Sequence, residues 1–148
     1  MSAELLSSDG IHLGLPTTSR SDAIEQCGQA LLKIGAVSQE YVAAMHEREE
    51  SVSTFIGEGV AIPHGTDASR AYVRRSSIVV LQFPDGIDWG TGSSAILCVG
   101  IAAQGSEQVG ILSSLAHILM DPAKAAELRG ATDAETVLRL LKSMDEEN

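Results

Sequence analysis

The sequence predicts a single α/β domain, a mixed β-sheet of about five strands flanked by helices on both faces. Three observations carry the prediction. Apolar residues recur at helical spacing near both ends of the chain, as Ile24, Cys27, Leu31 and Ile34 early and as Val109, Leu112, Ala116 and Leu119 late. Between them, 77–83 and 95–102 are nearly continuous apolar and β-branched runs, the pattern of strands covered on both faces. The length of 148 residues, with 44% hydrophobic and 20% charged, suits one folded core.

The elements follow in order. Residues 11–15 read as a short strand or anchored arm, and Ser19 or Ser21 caps a first helix that Gly35 ends. Ser38 opens a second helix to about Glu49, with Val37 and Val42 placed as a hydrophobic staple and Tyr41, Val42 and Met45 inward. Two short β-prone pieces, 53–56 and 60–62, flank Gly57-Glu58-Gly59, and the second stops at Pro63. A short helix is expected from Thr66 or Asp67 to about Val73. After the first long strand, Pro84-Asp85-Gly86 reads as a hairpin turn into an antiparallel partner at 87–89. Ser106 is placed as N-cap of a helix after the second long strand. Asp121-Pro122 starts another helix that Gly130 closes, and 132–135 has capping-box spacing before a last helix ending near Met144.

Twenty acidic against ten basic residues give a formal charge of -10, the wrong sign for a nucleic-acid or anionic-membrane surface. Cys27 and Cys98 fall inside apolar patterns and read as buried thiols of a reducing compartment. The start, MSAELLSSDG, has neither a basic opening nor an apolar stretch, so no secretory signal is expected. The longest apolar stretch, 95–103, is far short of the roughly 20 residues a spanning helix requires, so no membrane insertion is expected.

Two apparent motifs fail on inspection. His46-Glu47-Arg48-Glu49-Glu50 begins like a zinc-protease helix but has Glu50 where the second histidine belongs, so a solvated helix end is the reading. Gly57-x-Gly59 lacks the third glycine of a dinucleotide fingerprint, with Ile62 in its place, and there is no P-loop. Neither a metal nor a nucleotide cofactor is expected.

His64 is the informative residue. It sits where a strand gives way to a short helix, between Pro63, which restricts the backbone, and Gly65, which leaves space. That corner is expected to expose the imidazole while holding it still, with Thr66 and the next amides as donors for an anion, which makes His64 a candidate nucleophile for phosphoryl transfer. A loop histidine without chemistry is the plain alternative.

The segment Gly57-Glu58-Gly59-Val60-Ala61-Ile62-Pro63-His64-Gly65-Thr66 resembles the active-site segment of Enzyme IIA domains of the mannitol/fructose class in the bacterial phosphoenolpyruvate-dependent sugar phosphotransferase system. The similarity extends over nearly the whole chain. It includes Ile11-His12-Leu13-Gly14, Tyr41-Val42-Ala43-Ala44-Met45 leading to Glu47-Arg48-Glu49, Gln82-Phe83-Pro84-Asp85-Gly86-Ile87 and Val99-Gly100-Ile101-Ala102-Ala103, and it is closest to the mannitol branch. The resemblance implies one IIA domain over residues 1–148, with His64 accepting a phosphoryl group from phospho-HPr and passing it to a cysteine of a IIB domain, for uptake of mannitol or a related polyol. It implies a cytoplasmic protein that associates transiently with a membrane permease.

Arg48 matches an arginine near the family's phosphorylated histidine and is the expected stabiliser of phosphoryl charge; its plain alternative is an ion pair with Glu47 or Glu49. Gln108 stands where the family commonly has a second histidine, and an amide can donate a hydrogen bond but cannot become cationic. That departure gives weight to a rival reading, a regulatory phospho-switch of the nitrogen-regulatory IIA kind that acts by binding a partner. His12 and His117 are read as structural or surface residues. Around His64 an apolar patch rimmed by acidic residues is expected, suited to a basic donor.

Overall fold

Side-chain alternation along two long strands builds this molecule, whose computed structural model describes residues 5–90 and 92–141. On β4 (Ser77–Gly90), Ile78 and Val80 point into one core while Val79, Leu81 and Phe83 point into another. On β5 (Ser93–Ala102), Leu97, Val99 and Ile101 join the first core, and Cys98 and Ala102 the second. A period of two with both faces apolar requires cover on both sides. The helices α1 (Arg20–Lys33) and α2 (Gln39–Ser51) cover one face; α3 (Glu107–Leu119), α4 (Pro122–Arg129) and α5 (Ala134–Leu141) cover the other.

Three short strands, β1 (Ile11–His12), β2 (Phe55–Gly57) and β3 (Val60–Ala61), complete a five-stranded sheet in the order β1-β4-β5-β3-β2. The pairs β1–β4 and β3–β5 are parallel, and β4–β5 and β2–β3 antiparallel. The predicted mixed sheet between two helical layers is the observed one. The turn between β2 and β3 runs with positive φ at Gly57, Glu58 and Gly59, and Arg129 Nη1 donates to the Glu58 carbonyl at 2.6 Å.

The helix boundaries follow the caps. Ser19 Oγ accepts from Asp22 N at 3.0 Å to start α1, and Gly35 leaves it with φ +77°. Asp121 Oδ1 accepts from Ala123 N at 3.0 Å beside Pro122 at the first position of α4. Ser106 precedes α3 without a side-chain cap bond. Before α5 the capping oxygen belongs to Asp133, which takes both N and Oγ1 of Thr136 at 2.8 Å, so the cap falls one residue later than the capping-box spacing of 132–135 suggests. The expected end near Met144 lies outside the described residues.

One expectation is corrected. Pro84-Asp85-Gly86 is no hairpin turn: β4 runs through it, with a register shift between Gln82 and Ile87, and the chain reverses between the paired Gly90 and Ser93. A bulge uses the same residues as a turn, since Pro84 has no N–H to give the ladder and Gly86 adopts φ +82°. The bulge is anchored by the Thr17 hydroxyl, which donates to the Gly86 carbonyl. Cys27 and Cys98 are both buried free thiols in the second core. No helix among the described residues is long and apolar enough to cross a membrane.

Candidate functional site

The corner that carries His64 is built by backbone pairing. Beyond β3 the chain stays alongside β5: Ile101 N donates to the Pro63 carbonyl at 2.9 Å, and His64 forms an isolated parallel bridge with Ile101. From the other side Ile62 N donates to the Thr54 carbonyl at 2.9 Å. The Tyr41 hydroxyl then locks the turn, donating to the Ile101 carbonyl at 2.8 Å and accepting from Gly65 N at 2.9 Å. Burial pushes the Tyr41 phenol up to about 12, so it stays protonated and able to donate. Glycine is required at 65 by close approach, because a Cβ there would press on Ser69 Oγ and lie 2.6 Å from Tyr41 Cε1.

His64 is 5% exposed, not open to solvent as the sequence suggests. Pairing the Pro63–His64 stretch with β5 draws the ring into the fold. Its Nδ1 lies 2.7 Å from the Ile62 carbonyl, and since a carbonyl oxygen only accepts, Nδ1 carries the proton. Nε2 has no hydrogen-bond partner among the described residues. Among the described residues the fully buried polar side-chain atoms without a partner are Ser38 Oγ and Arg70 Nε, so what remains accessible of the ring includes Nε2. Burial, aided by the Arg48 charge and opposed by the Ile62 carbonyl, Glu49 and Asp67, lowers the imidazole below its usual 6.5. At neutral pH it is an uncharged base with one free lone pair, the state a nucleophile needs.

The donors around it differ from expectation. The Gly65 amide is taken by Tyr41 and does not face an incoming anion. The short helix expected after His64 is a six-residue 3-10 helix, Asp67–Tyr72. Arg48 makes no ion pair with Glu47 or Glu49; its Nη1 donates to the Val52 carbonyl at 2.6 Å at the end of its own helix. That bond orients the guanidinium and leaves its other N–H groups without a protein partner among the described residues.

Glu49 does not belong to a solvated helix end: it is 9% exposed and accepts from Trp89 Nε1 and from N and Oγ1 of Thr54. The signal for it was indirect: a buried tryptophan, like a buried tyrosine, needs a partner for its polar atom. Gln108 lies half-buried in the first turn of α3, after the strand whose Ile101 pairs with His64. No hydrogen bond joins it to His64 or Arg48, and Arg48 is among the charges that act on the His64 ring. Of the other histidines, His46 pairs with Glu25 at 2.9 Å, His117 is exposed and His12 half-buried on the edge strand. Among the described residues no cluster of His, Cys, Asp or Glu is arranged to hold a metal. Beside the site a groove between α2 and the 3-10 helix is lined by Glu40, Glu47, Thr66 and Tyr72, and Val52 and Val109 are exposed apolar residues at 65% and 70%.

Fold and site together define a mixed-sheet α/β domain presenting one face of a neutral imidazole under the field of an arginine. Residues 4–144 match the family described as phosphoenolpyruvate-dependent sugar phosphotransferase system, EIIA 2, and the chain belongs to that family. It is therefore a phosphotransferase component of the IIA kind. The chain is 38% identical over 143 residues to a mannitol-specific phosphotransferase enzyme IIA component of Staphylococcus aureus, covering 97% of this chain and 99% of that one. It is 43% identical over 136 residues to a multiphosphoryl transfer protein of Escherichia coli O157:H7, covering 92% of this chain but only 36% of that relative's length. The fold superposes with a TM-score of 0.88 and 34% identity on a structure of the Escherichia coli complex of enzyme IIA mannitol with phosphorylated enzyme IIB mannitol, covering 94% of this chain and 99% of that chain.

Proposed function

We propose that the chain is a phosphoryl carrier in which His64 Nε2 takes a phosphoryl group from phospho-HPr and passes it to a cysteine of a IIB domain, for uptake of mannitol or a related polyol. The carrying observation is the one-sided imidazole: Nδ1 is engaged by the Ile62 carbonyl, and Nε2 is left as the nucleophile. The Nε2 lone pair attacks phosphorus in line while the donor's P–N bond breaks, through a loose transition state in which positioning and charge stabilisation do most of the work. Retention of the Nδ1 proton makes the phosphorylated ring cationic. When a IIB thiolate attacks, the P–Nε2 bond then breaks to release a neutral imidazole, a far better leaving group than an imidazolate.

Arg48 supplies the charge-assisted contact to the phosphoryl oxygens, which carry roughly -1.5 to -2 of charge near neutral pH. Gln108, if it reaches the phosphoryl group, adds an amide donor at most. Donor and acceptor use the same nitrogen, so their docking surfaces overlap and exclude each other. The exposed Val52 and Val109, and the Glu40 and Glu47 that line the groove beside the 3-10 helix, support a basic, partly apolar partner surface. The full 148 residues are read as one IIA domain, working in the cytoplasm in transient association with a permease. A mannitol-specific relative matched over almost its whole length, and a relative in complex with phosphorylated IIB, favour this reading over a regulatory switch.

The test is incubation with phosphoenolpyruvate, Enzyme I and HPr followed by intact-mass measurement. Wild type gains one phosphoryl group and His64→Ala gains none. An unmodified wild type defeats the carrier reading, and equal labelling of His64→Ala moves the site elsewhere.

A further inference from the structure

Glu49 has a place in this site that the phosphoryl chemistry above leaves unused. Its Oε2 accepts from Thr54 N and from Trp89 Nε1, both at 3.0 Å, and its Oε1 accepts from the Thr54 hydroxyl. Thr54 and Trp89 are 3% and 2% exposed. No cation lies within ion-pair distance of it among the described residues, so these three donors hold a carboxylate that would be costly to bury without them. The bonds continue toward the histidine: the Thr54 carbonyl takes Ile62 N at 2.9 Å, and the Ile62 carbonyl takes His64 Nδ1 at 2.7 Å.

We propose that Glu49 is a positioning residue for phosphoryl transfer: through Thr54 and Ile62 it keeps the proton on His64 Nδ1, so that Nε2 alone meets phosphorus, while its charge acts on the same ring. The inference rests on the carrier reading above. Loosening of the Thr54–Ile62 stretch frees the ring to move its proton to Nε2, which then has no lone pair to attack with. In the phosphorylated state the same loosening lets the Nδ1 proton go, and onward transfer must expel an imidazolate. The charged groups acting on the ring are Arg48 and Glu49 of α2 and Asp67 of the 3-10 helix.

The test compares Glu49→Gln with Glu49→Ala. Glutamine fits every bond, because its carbonyl takes both N–H donors and its amide donates to the Thr54 hydroxyl, which turns to accept. Nitrogen NMR of the unphosphorylated ring reads the tautomer, and single-turnover transfer at varied phospho-HPr separates maximal rate from half-saturating concentration. Glu49→Ala is expected to show mixed tautomers and a maximal rate down about tenfold or more with half-saturation unchanged. Glu49→Gln is expected to keep the wild-type tautomer and a rate within about threefold, while its His64 titration midpoint moves down because an opposing negative charge is gone. A wild-type tautomer and rate in Glu49→Ala, or an unmoved midpoint in Glu49→Gln, overturns the proposal; the second readout stands even if the alanine variant does not fold. Failure of the carrier reading appears separately, as wild type that takes no label, and leaves the ring measurements intact.

Discussion

At His64 the sign of the pH dependence follows from which side of 6.5 the ring titrates. Its folded value is lowered, chiefly by burial and then by Arg48, so between that value and 6.5 the unfolded chain binds more proton than the folded one. Stability from this group is present above 6.5 and is lost as pH falls through that window. Phosphoryl acceptance needs the neutral ring, so the transfer rate is expected to be flat near neutral pH and to fall on acidification with a midpoint below 6.5. A rate-against-pH series checks this, and a midpoint at or above 6.5 contradicts it. Arg48→Ala is expected to slow transfer by about tenfold or more while moving that midpoint up, since one of the charges that lowers it is removed. Wild-type kinetics in that variant would return Arg48 to a surface role.

At the scale of elements, the turn between β3 and the 3-10 helix depends on one hydroxyl and one missing side chain. Tyr41→Phe leaves the Gly65 amide and the Ile101 carbonyl without the group that bridges them, an expected loss of about 1–3 kcal/mol in urea unfolding. Gly65→Ala forces a methyl against Ser69 and the Tyr41 ring, with an expected cost of about 1–3 kcal/mol and slowed phosphoryl labelling because His64 is displaced. If Gly65→Ala labels at the wild-type rate, the corner is not what aims the ring. The β4 bulge shows why local chemistry left this level ambiguous. Pro-Asp-Gly satisfies a turn and a bulge equally well, and only the pairing of Ile87 with Ala95 on β5 selects the bulge.

Across the whole molecule, Gln82 ties distant parts together. Its Nε2 donates to the carbonyls of Arg129 and Ala131 at 3.0 and 2.8 Å, and its Oε1 accepts from Gly14 N at 2.9 Å. Gln82→Leu strands three backbone groups, and the expected loss is about 2–4 kcal/mol, seen as a lower denaturant midpoint at unchanged m. A change below about 0.5 kcal/mol would show that water replaces those bonds readily. The formal charge of -10 bears on encounter: transfer from a basic donor is expected to slow as ionic strength rises, and salt-independent rates would exclude electrostatic steering.

The sequence by itself determined the two-sided sheet, the helix caps at Ser19 and Asp121, the buried thiols and the strand-end histidine. These follow from local rules: side-chain period, capping chemistry, and the limits proline and glycine place on the backbone. Tertiary structure alone decided the burial of His64, the Tyr41 bridge and the burial of Glu49. Each depends on a partner far along the chain, with Tyr41 sixty residues from Ile101 and Trp89 forty from Glu49. A hydrogen bond between such residues leaves no periodicity to read; it exists only once the sheet and helices have brought donor and acceptor within 3 Å of each other.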